Sequence, residues 1–149
     1  MRLSRLALVP AASLLMAACS TGASVESPSA AASASPAATR IEVTLNDSFT
    51  IEPASMAVLA GVPVTFVVTN AGAIAHEFYL GGEAAQAEHE EEMMAAGGMR
   101  HDEPEGIGVD PGETKELTFT FEAPGETLAG CHEAGHYAAG MKAVVTVSG

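Results

Sequence analysis

Three side chains that bind soft metal ions recur at five-residue steps near the end of the chain: Cys131, His136 and Met141. They supply a thiolate, an imidazole and a thioether, a set of donors that suits copper. Strand-like residues 128–131 precede them and strand-like residues 142–147 follow, while Gly140 would let the backbone approach a bound ion closely. The spacing therefore predicts a metal-binding loop between two strands.

One further histidine would complete the trigonal set of two imidazoles and a thiolate, with a weak axial methionine, that electron-carrying copper sites use. His76, which opens an apolar segment, is our candidate. Each residue alone has an ordinary explanation, a satisfied histidine, a core methionine or a buried thiol, and the combination favours copper. Zinc fits three of the donors, but methionine is a poor zinc ligand. A Cys-His nucleophile pair would need an orienting third residue, to which nothing in the sequence points.

An acidic segment rich in helix formers predicts a surface helix over residues 83–96, stopped by Gly97 and Gly98. His89 and Met93 are four residues apart and would share one face of that helix. A secondary copper site could involve His89, Met93, Met94, Met99 and His101. The simpler explanation, which we prefer, is a solvated acidic helix whose methionines cover the domain.

The first 18 residues resemble a signal peptide, with two arginines and then a short apolar run that ends in small residues before Cys19. The pattern resembles a bacterial lipobox, which implies cleavage before Cys19 and lipidation of its thiol; an ordinary signal peptide cut nearby is the alternative. Residues 19–39 are rich in Ser, Ala and Pro and predict a disordered tether. If Cys19 carries lipid, no second cysteine is left to form a disulfide with Cys131. An unpaired cysteine in an exported protein suggests a reactive or metal-bound thiol.

The chain is strongly acidic, with six Lys and Arg against nineteen Asp and Glu. Loss of residues 1–18 would remove two arginines and leave a formal charge of about −15. Such a chain lacks the basic face that nucleic acids require. It favours solubility and attraction of basic partners or cations.

Residues 40–149 are enough for one small domain. Alternation of apolar and polar residues predicts strands at 41–45 and 115–121, with Leu117, Phe119 and Phe121 facing inward. Met56 and Val58 share the apolar face of another strand. About seven short strands separated by Pro and Gly turns predict an all-β sandwich with the acidic helix inserted.

With these features the chain resembles a cupredoxin, of the plastocyanin and azurin superfamily. The spacing from Cys131 to Met141 is similar to that in rusticyanin and auracyanin, and the likeness extends over about residues 41–149. It implies a Greek-key β-sandwich and one copper ion bound by His76, Cys131, His136 and Met141. Two positions depart from the common pattern, Glu77 after the first histidine and His132 after the cysteine. Because side chains alternate along a strand, we expect His132 to face away from the metal.

The resemblance implies a blue copper protein that carries single electrons and is not itself an enzyme. We expect its partners to be redox proteins such as a cytochrome or a copper oxidase or reductase, docking near His136. We expect a monomer on the extracytoplasmic side of the cell envelope, attached to the membrane by lipid alone. A copper-binding protein for tolerance or delivery is the alternative function, and a copper-free interaction domain is a third.

Overall fold

The computed structural model describes residues 39–97 and 101–149, which lie in one compact unit, residues 34–149. The predicted signal peptide, Cys19 and all of the predicted tether except Thr39 lie outside the described residues, as does Met99. Thr39 begins the first strand, one residue before the predicted start of the domain. Within the described residues, no helix is long and apolar enough to cross a membrane.

The described residues form nine strands and one helix arranged as two packed sheets. The elements are β1 (Thr39–Asn46), β2 (Thr50–Glu52), β3 (Ser55–Leu59), β4 (Val64–Asn70), β5 (His76–Gly81), α1 (Glu83–Ala95), β6 (Gly106–Val109), β7 (Thr114–Phe119), β8 (Gly125–Gly130) and β9 (Lys142–Ser148). One sheet has the order β2-β1-β4-β7 and the other β3-β9-β8-β5-β6. The predicted β-sandwich is confirmed.

The core lies between the sheets, where alternate residues of each strand face inward. Phe66 of β4 and Phe78 of β5 are fully buried, and their ring centroids are 5.3 Å apart. Met56 and Val58 belong to this core, as predicted. Leu117 and Phe121 are also buried, whereas Phe119 is only partly buried against the core.

Strand β6 was not anticipated, because two of its four residues are glycines, which weaken the strand pattern. It pairs with β5, and Gly106 lies opposite Tyr79. A Cβ atom at Gly106 would lie 2.8 Å from the Tyr79 ring. The glycine therefore leaves room for the tyrosine side chain.

Antiparallel pairing brings the predicted metal ligands to one end of the sandwich. Strand β5 begins at His76, and its neighbour β8 ends at Gly130, immediately before Cys131. In an antiparallel pair the start of one strand lies beside the end of the other. Because β8 and β9 are also paired, the loop from Cys131 to Met141 leaves and re-enters the sheet at this same end.

Candidate metal centre

His76, Cys131 and His136 converge on one point. Their donor atoms all lie within 4.8 Å of one another, and no other group of three such donors was found in the described ranges. The Cys131 Sγ atom is 3.4 Å from His136 Nδ1 and 3.9 Å from His76 Nδ1. His76 and Cys131 are fully buried, and His136 is 9% exposed. The histidine predicted from a distant part of the sequence thus lies beside the loop.

The three residues fit a copper ion. Metal–nitrogen bonds of about 2.0–2.1 Å and a metal–sulfur bond of about 2.3 Å, at trigonal or tetrahedral angles, place N and S about 3.6–3.8 Å apart. The two measured separations of 3.4 and 3.9 Å bracket that value. Burial raises the pKa of the Cys131 thiol to about 12, so the thiolate needs a cation to form in this site.

The loop holds its residues by backbone hydrogen bonds. The Met141 amide donates to His136 O at 3.1 Å, and the Cys131 amide donates to Met141 O at 3.2 Å. Gly135 and Gly140 have φ values of 85° and 100°, a region that side chains rarely adopt. Met141 is fully buried. These contacts fix the backbone of Met141 beside that of Cys131 and His136, the two other ligand candidates on the loop.

The turn between β1 and β2 covers the two histidines, a role that sequence reasoning missed. Asp47 Oδ1 lies 3.4 Å from His76 Nε2, and the ring of Phe49 lies 4.7 Å from that of His136. Hydrogen bonds from the Ala73 and Ile74 amides and from His76 lower the pKa of Asp47. The carboxylate therefore holds the proton on Nε2 and leaves His76 Nδ1 to face the thiol, as carboxylates commonly do for metal-binding histidines.

We expect Asp47→Asn to weaken copper binding by about 10- to 100-fold, the usual cost of losing such an outer carboxylate. The amide can no longer accept a charge-assisted hydrogen bond from His76, so the ring loses both its orientation and part of its basicity. Competition with a chelator of known affinity measures the change. Glu42→Gln, which removes an equal charge from an exposed position of β1, is the matched control. Equal affinities of the two variants would contradict this role for Asp47.

We expect copper binding at pH 7.5 to release about one proton, because ligation requires the thiolate and the thiol pKa is about 12. Burial and the nearby His76 lower the pKa of His136, so His136 is neutral at this pH and adds no proton. Copper affinity should then rise about tenfold per pH unit between pH 7 and 8. Calorimetric titrations in two buffers of different ionisation enthalpy count the protons. Binding without proton release would contradict the claim that Cys131 is a protonated thiol before copper binds.

Glu77 connects the two chain segments that carry His76 and Cys131. Its amide lies 3.3 Å from Cys131 Sγ, and its carboxylate accepts hydrogen bonds from the His132 amide at 3.2 Å and from His89 Nε2 at 2.9 Å. The side chain is 2% exposed. A buried carboxylate is costly unless its oxygens are satisfied, and these two donors satisfy both oxygens. Glu77 thus links α1 to the cysteine.

The helix packs on the sheet through polar contacts. Its buried residues are Gln86, His89 and Met93. The Gln86 amide nitrogen lies 3.1–3.2 Å from three backbone carbonyl oxygens, and its oxygen is 2.6 Å from His132 Nε2. Glu90 contacts the other nitrogen of His132 at 2.5 Å. The His132 ring therefore points to the helix, as strand alternation predicts.

The described residues of the predicted secondary copper site differ in their surroundings. His89 and Met93 are buried residues of the helix, whereas Met94, in the same helix, is 67% exposed. His101 lies 2.5 Å from a carboxylate oxygen of Glu103. A cavity of about 280 Å³ is lined by Glu90, Met93, Met94, Gly97, His132 and Ala134. Met93 and Met94 thus line one cavity together with His132.

The chain matches a family of known chemistry. The profile of the copper binding proteins, plastocyanin/azurin family, matches residues 37–148. A solved structure of dithionite-reduced auracyanin from the photosynthetic bacterium Roseiflexus castenholzii superposes with a TM-score of 0.68 and 28% identity. That match covers 75% of this chain and 98% of the auracyanin.

Two curated relatives carry the name copper-resistant cuproprotein CopI. The relative from Pseudomonas aeruginosa is 35% identical over 78% of this chain and 80% of its own length. The relative from Rubrivivax gelatinosus is 36% identical over 72% of this chain and 65% of its own length. About a third of the second relative therefore lies outside the matched region.

Proposed function

Because the chain belongs to the plastocyanin/azurin family of copper-binding proteins, we propose that it is a type 1 copper protein that carries single electrons. The ligands would be His76, Cys131, His136 and Met141. The convergence of a buried thiol with two imidazole nitrogens at 3.4 and 3.9 Å carries this proposal. A single thiolate with two imidazoles and a weak axial thioether is the donor set of blue copper sites.

Copper, when bound, supplies one-electron exchange between its two oxidation states. The chain's own residues keep the donor positions fixed during that exchange. His76 is held by Asp47, Cys131 by the Glu77 amide, and His136 by the ring of Phe49. Donors restrained by such contacts change position little between oxidation states, which keeps the reorganisation on electron transfer small.

The partner would dock at the surface around His136. His136 is the most exposed of the three converging ligand candidates, and Ala138 and Ala139 beside it are exposed small residues. A small apolar surface lets a redox protein such as a cytochrome or a copper oxidase approach the imidazole edge closely. The protein itself breaks no substrate bond in this role.

Reversible one-electron chemistry tests the electron-carrier proposal. The copper-loaded protein should bleach on reduction and regain its colour on oxidation, with one electron per copper. An irreversible change, or consumption of more than one electron per copper, would contradict it.

Copper resistance is the second candidate function, and the two CopI relatives favour it. The strongly acidic chain would attract copper ions in the extracytoplasmic compartment, where we place the protein by its leader, with the lipid on Cys19 as its anchor. Both functions use the same site. Deletion of the gene should lower the copper concentration that cells tolerate, and Cys131→Ser should fail to restore tolerance. Growth unaffected by the deletion would contradict a role in copper resistance and leave electron transfer as the only proposed function.

A further inference from the structure

His89 is built like a metal ligand although it lies outside the candidate centre. Its Nε2 is 2.9 Å from a Glu77 oxygen, and a carboxylate oxygen accepts, so Nε2 carries the proton. In the neutral imidazole, that proton position leaves the lone pair on Nδ1. Metal-binding histidines almost always donate their other ring N–H in this way to a carboxylate or carbonyl.

The lone pair of His89 has no hydrogen-bond partner. The residue is 4% exposed, and Nδ1 is a buried atom without a hydrogen bond. Leaving such a buried atom without a partner is destabilising. Tyr79 stacks on the ring with centroids 3.9 Å apart and planes 3° from parallel. This contact fixes the plane of the ring, and the bond from Nε2 to Glu77 fixes the direction of Nδ1 within it. The protein thus holds an oriented nitrogen lone pair that is available to a metal ion.

The carboxylate of Glu92 faces that nitrogen. Glu92 Oε2 lies 3.9 Å from His89 Nδ1, too far for a hydrogen bond, and the two residues are one helical turn apart. One ion bound to both atoms at about 2.0–2.2 Å can span up to about 4.2 Å, so an ion fits between them. The Glu92 side chain is 66% exposed, so it can rotate to close the distance and can admit water ligands.

We propose that His89 Nδ1 and Glu92 bind a second copper ion as Cu(II), with water completing the coordination. One imidazole, one carboxylate and water form the N and O set that Cu(II) accepts in tetragonal geometry, and copper binds such sets more tightly than other divalent first-row metals. The site lies close to the first, because Glu77 contacts His89 through its carboxylate and Cys131 through its amide. The proposal does not depend on electron transfer at the first site.

Titration of the full-length protein with Cu(II) beyond one equivalent tests this site. A second equivalent should give an EPR signal with the large hyperfine splitting of ordinary Cu(II) and no new intense visible band. Glu92→Gln should weaken that second equivalent at least tenfold. Glu91→Gln, an equal change of charge at an exposed neighbour, should change it less than twofold.

Two results would overturn the second site: saturation at one equivalent, or a second equivalent that Glu92→Gln and Glu91→Gln weaken equally. His89→Gln should also remove the second signal, and because it alters a buried contact, its folding is checked by circular dichroism. The tests of the two sites are independent. Absence of the intense visible band would contradict the first copper site, and the EPR signal of ordinary Cu(II) would still report on the second.

Discussion

Replacement of Cys131 by serine should abolish the colour of the copper-loaded protein. The intense visible band of a blue site arises from charge transfer between thiolate sulfur and copper, so we expect loss of more than about 90% of the absorbance. A serine hydroxyl is a weaker and harder donor. His76 and His136 would still bind Cu(II), and the EPR spectrum should change to the large splitting of ordinary copper sites.

The Cys131→Ser protein should remain folded, because the hydroxyl can still accept the hydrogen bond that the Glu77 amide gives to sulfur. Met94→Leu removes a different sulfur from a position that is 67% exposed and should leave the band unchanged. Retention of the band in Cys131→Ser would rule out this cysteine as the copper ligand.

His76→Ala should also destroy the blue site, whereas His89→Ala should keep it. His76 contributes the Nδ1 atom 3.9 Å from Cys131 Sγ, and no other histidine besides His136 reaches that thiol in the described residues. His89 contacts Glu77 and is not one of the three converging donors. We expect the His76 variant to lose the band at one equivalent of copper and the His89 variant to retain its shape.

The two histidine variants control each other, since each removes one buried imidazole. His89→Ala leaves the Glu77 carboxylate without one donor, which should lower the free energy of unfolding by about 1–3 kcal/mol. Chemical denaturation separates this loss of stability from loss of the copper spectrum. A colourless His89 variant beside a blue His76 variant would reverse the assignment.

The sequence was most informative where the ligands are close together in the chain. Cys131, His136 and Met141 are recognisable by their spacing, because one loop holds all three. His76 lies 55 residues before Cys131, so spacing cannot connect it to the loop, and only the apolar segment that it opens pointed to it. Strand pairing supplies the missing information by placing the start of β5 beside the end of β8.

The supporting residues could not be predicted from the sequence. Asp47 is 29 residues from His76 and has the ordinary sequence of a turn. Phe49 lies in the same turn with φ of 59°, a conformation uncommon outside glycine. Gly72 accommodates the turn, since a Cβ atom there would lie 1.9 Å from Asp47 Oδ1. These contacts are long-range and leave no periodic pattern.

The helix shows the same limit. Its residue types predicted α1 correctly, but the predicted solvated helix whose methionines cover the domain does not describe how it packs. Gln86 and His89 are buried on the sheet, and only one of the two described methionines of the segment, Met93, is buried. Partners from β5 and the Cys131 loop bond to His89 Nε2 and to the Gln86 amide, and neither partner is adjacent in sequence.

Visible absorption and EPR spectra of the purified protein during titration with Cu(II) test the central claim most directly. An intense charge-transfer band and a narrow copper hyperfine splitting, both complete at one equivalent, are the predicted result. Weak d–d absorption alone at one equivalent, or oxidation of Cys131 without a stable coloured complex, would show that His76, Cys131, His136 and Met141 do not form a type 1 copper site.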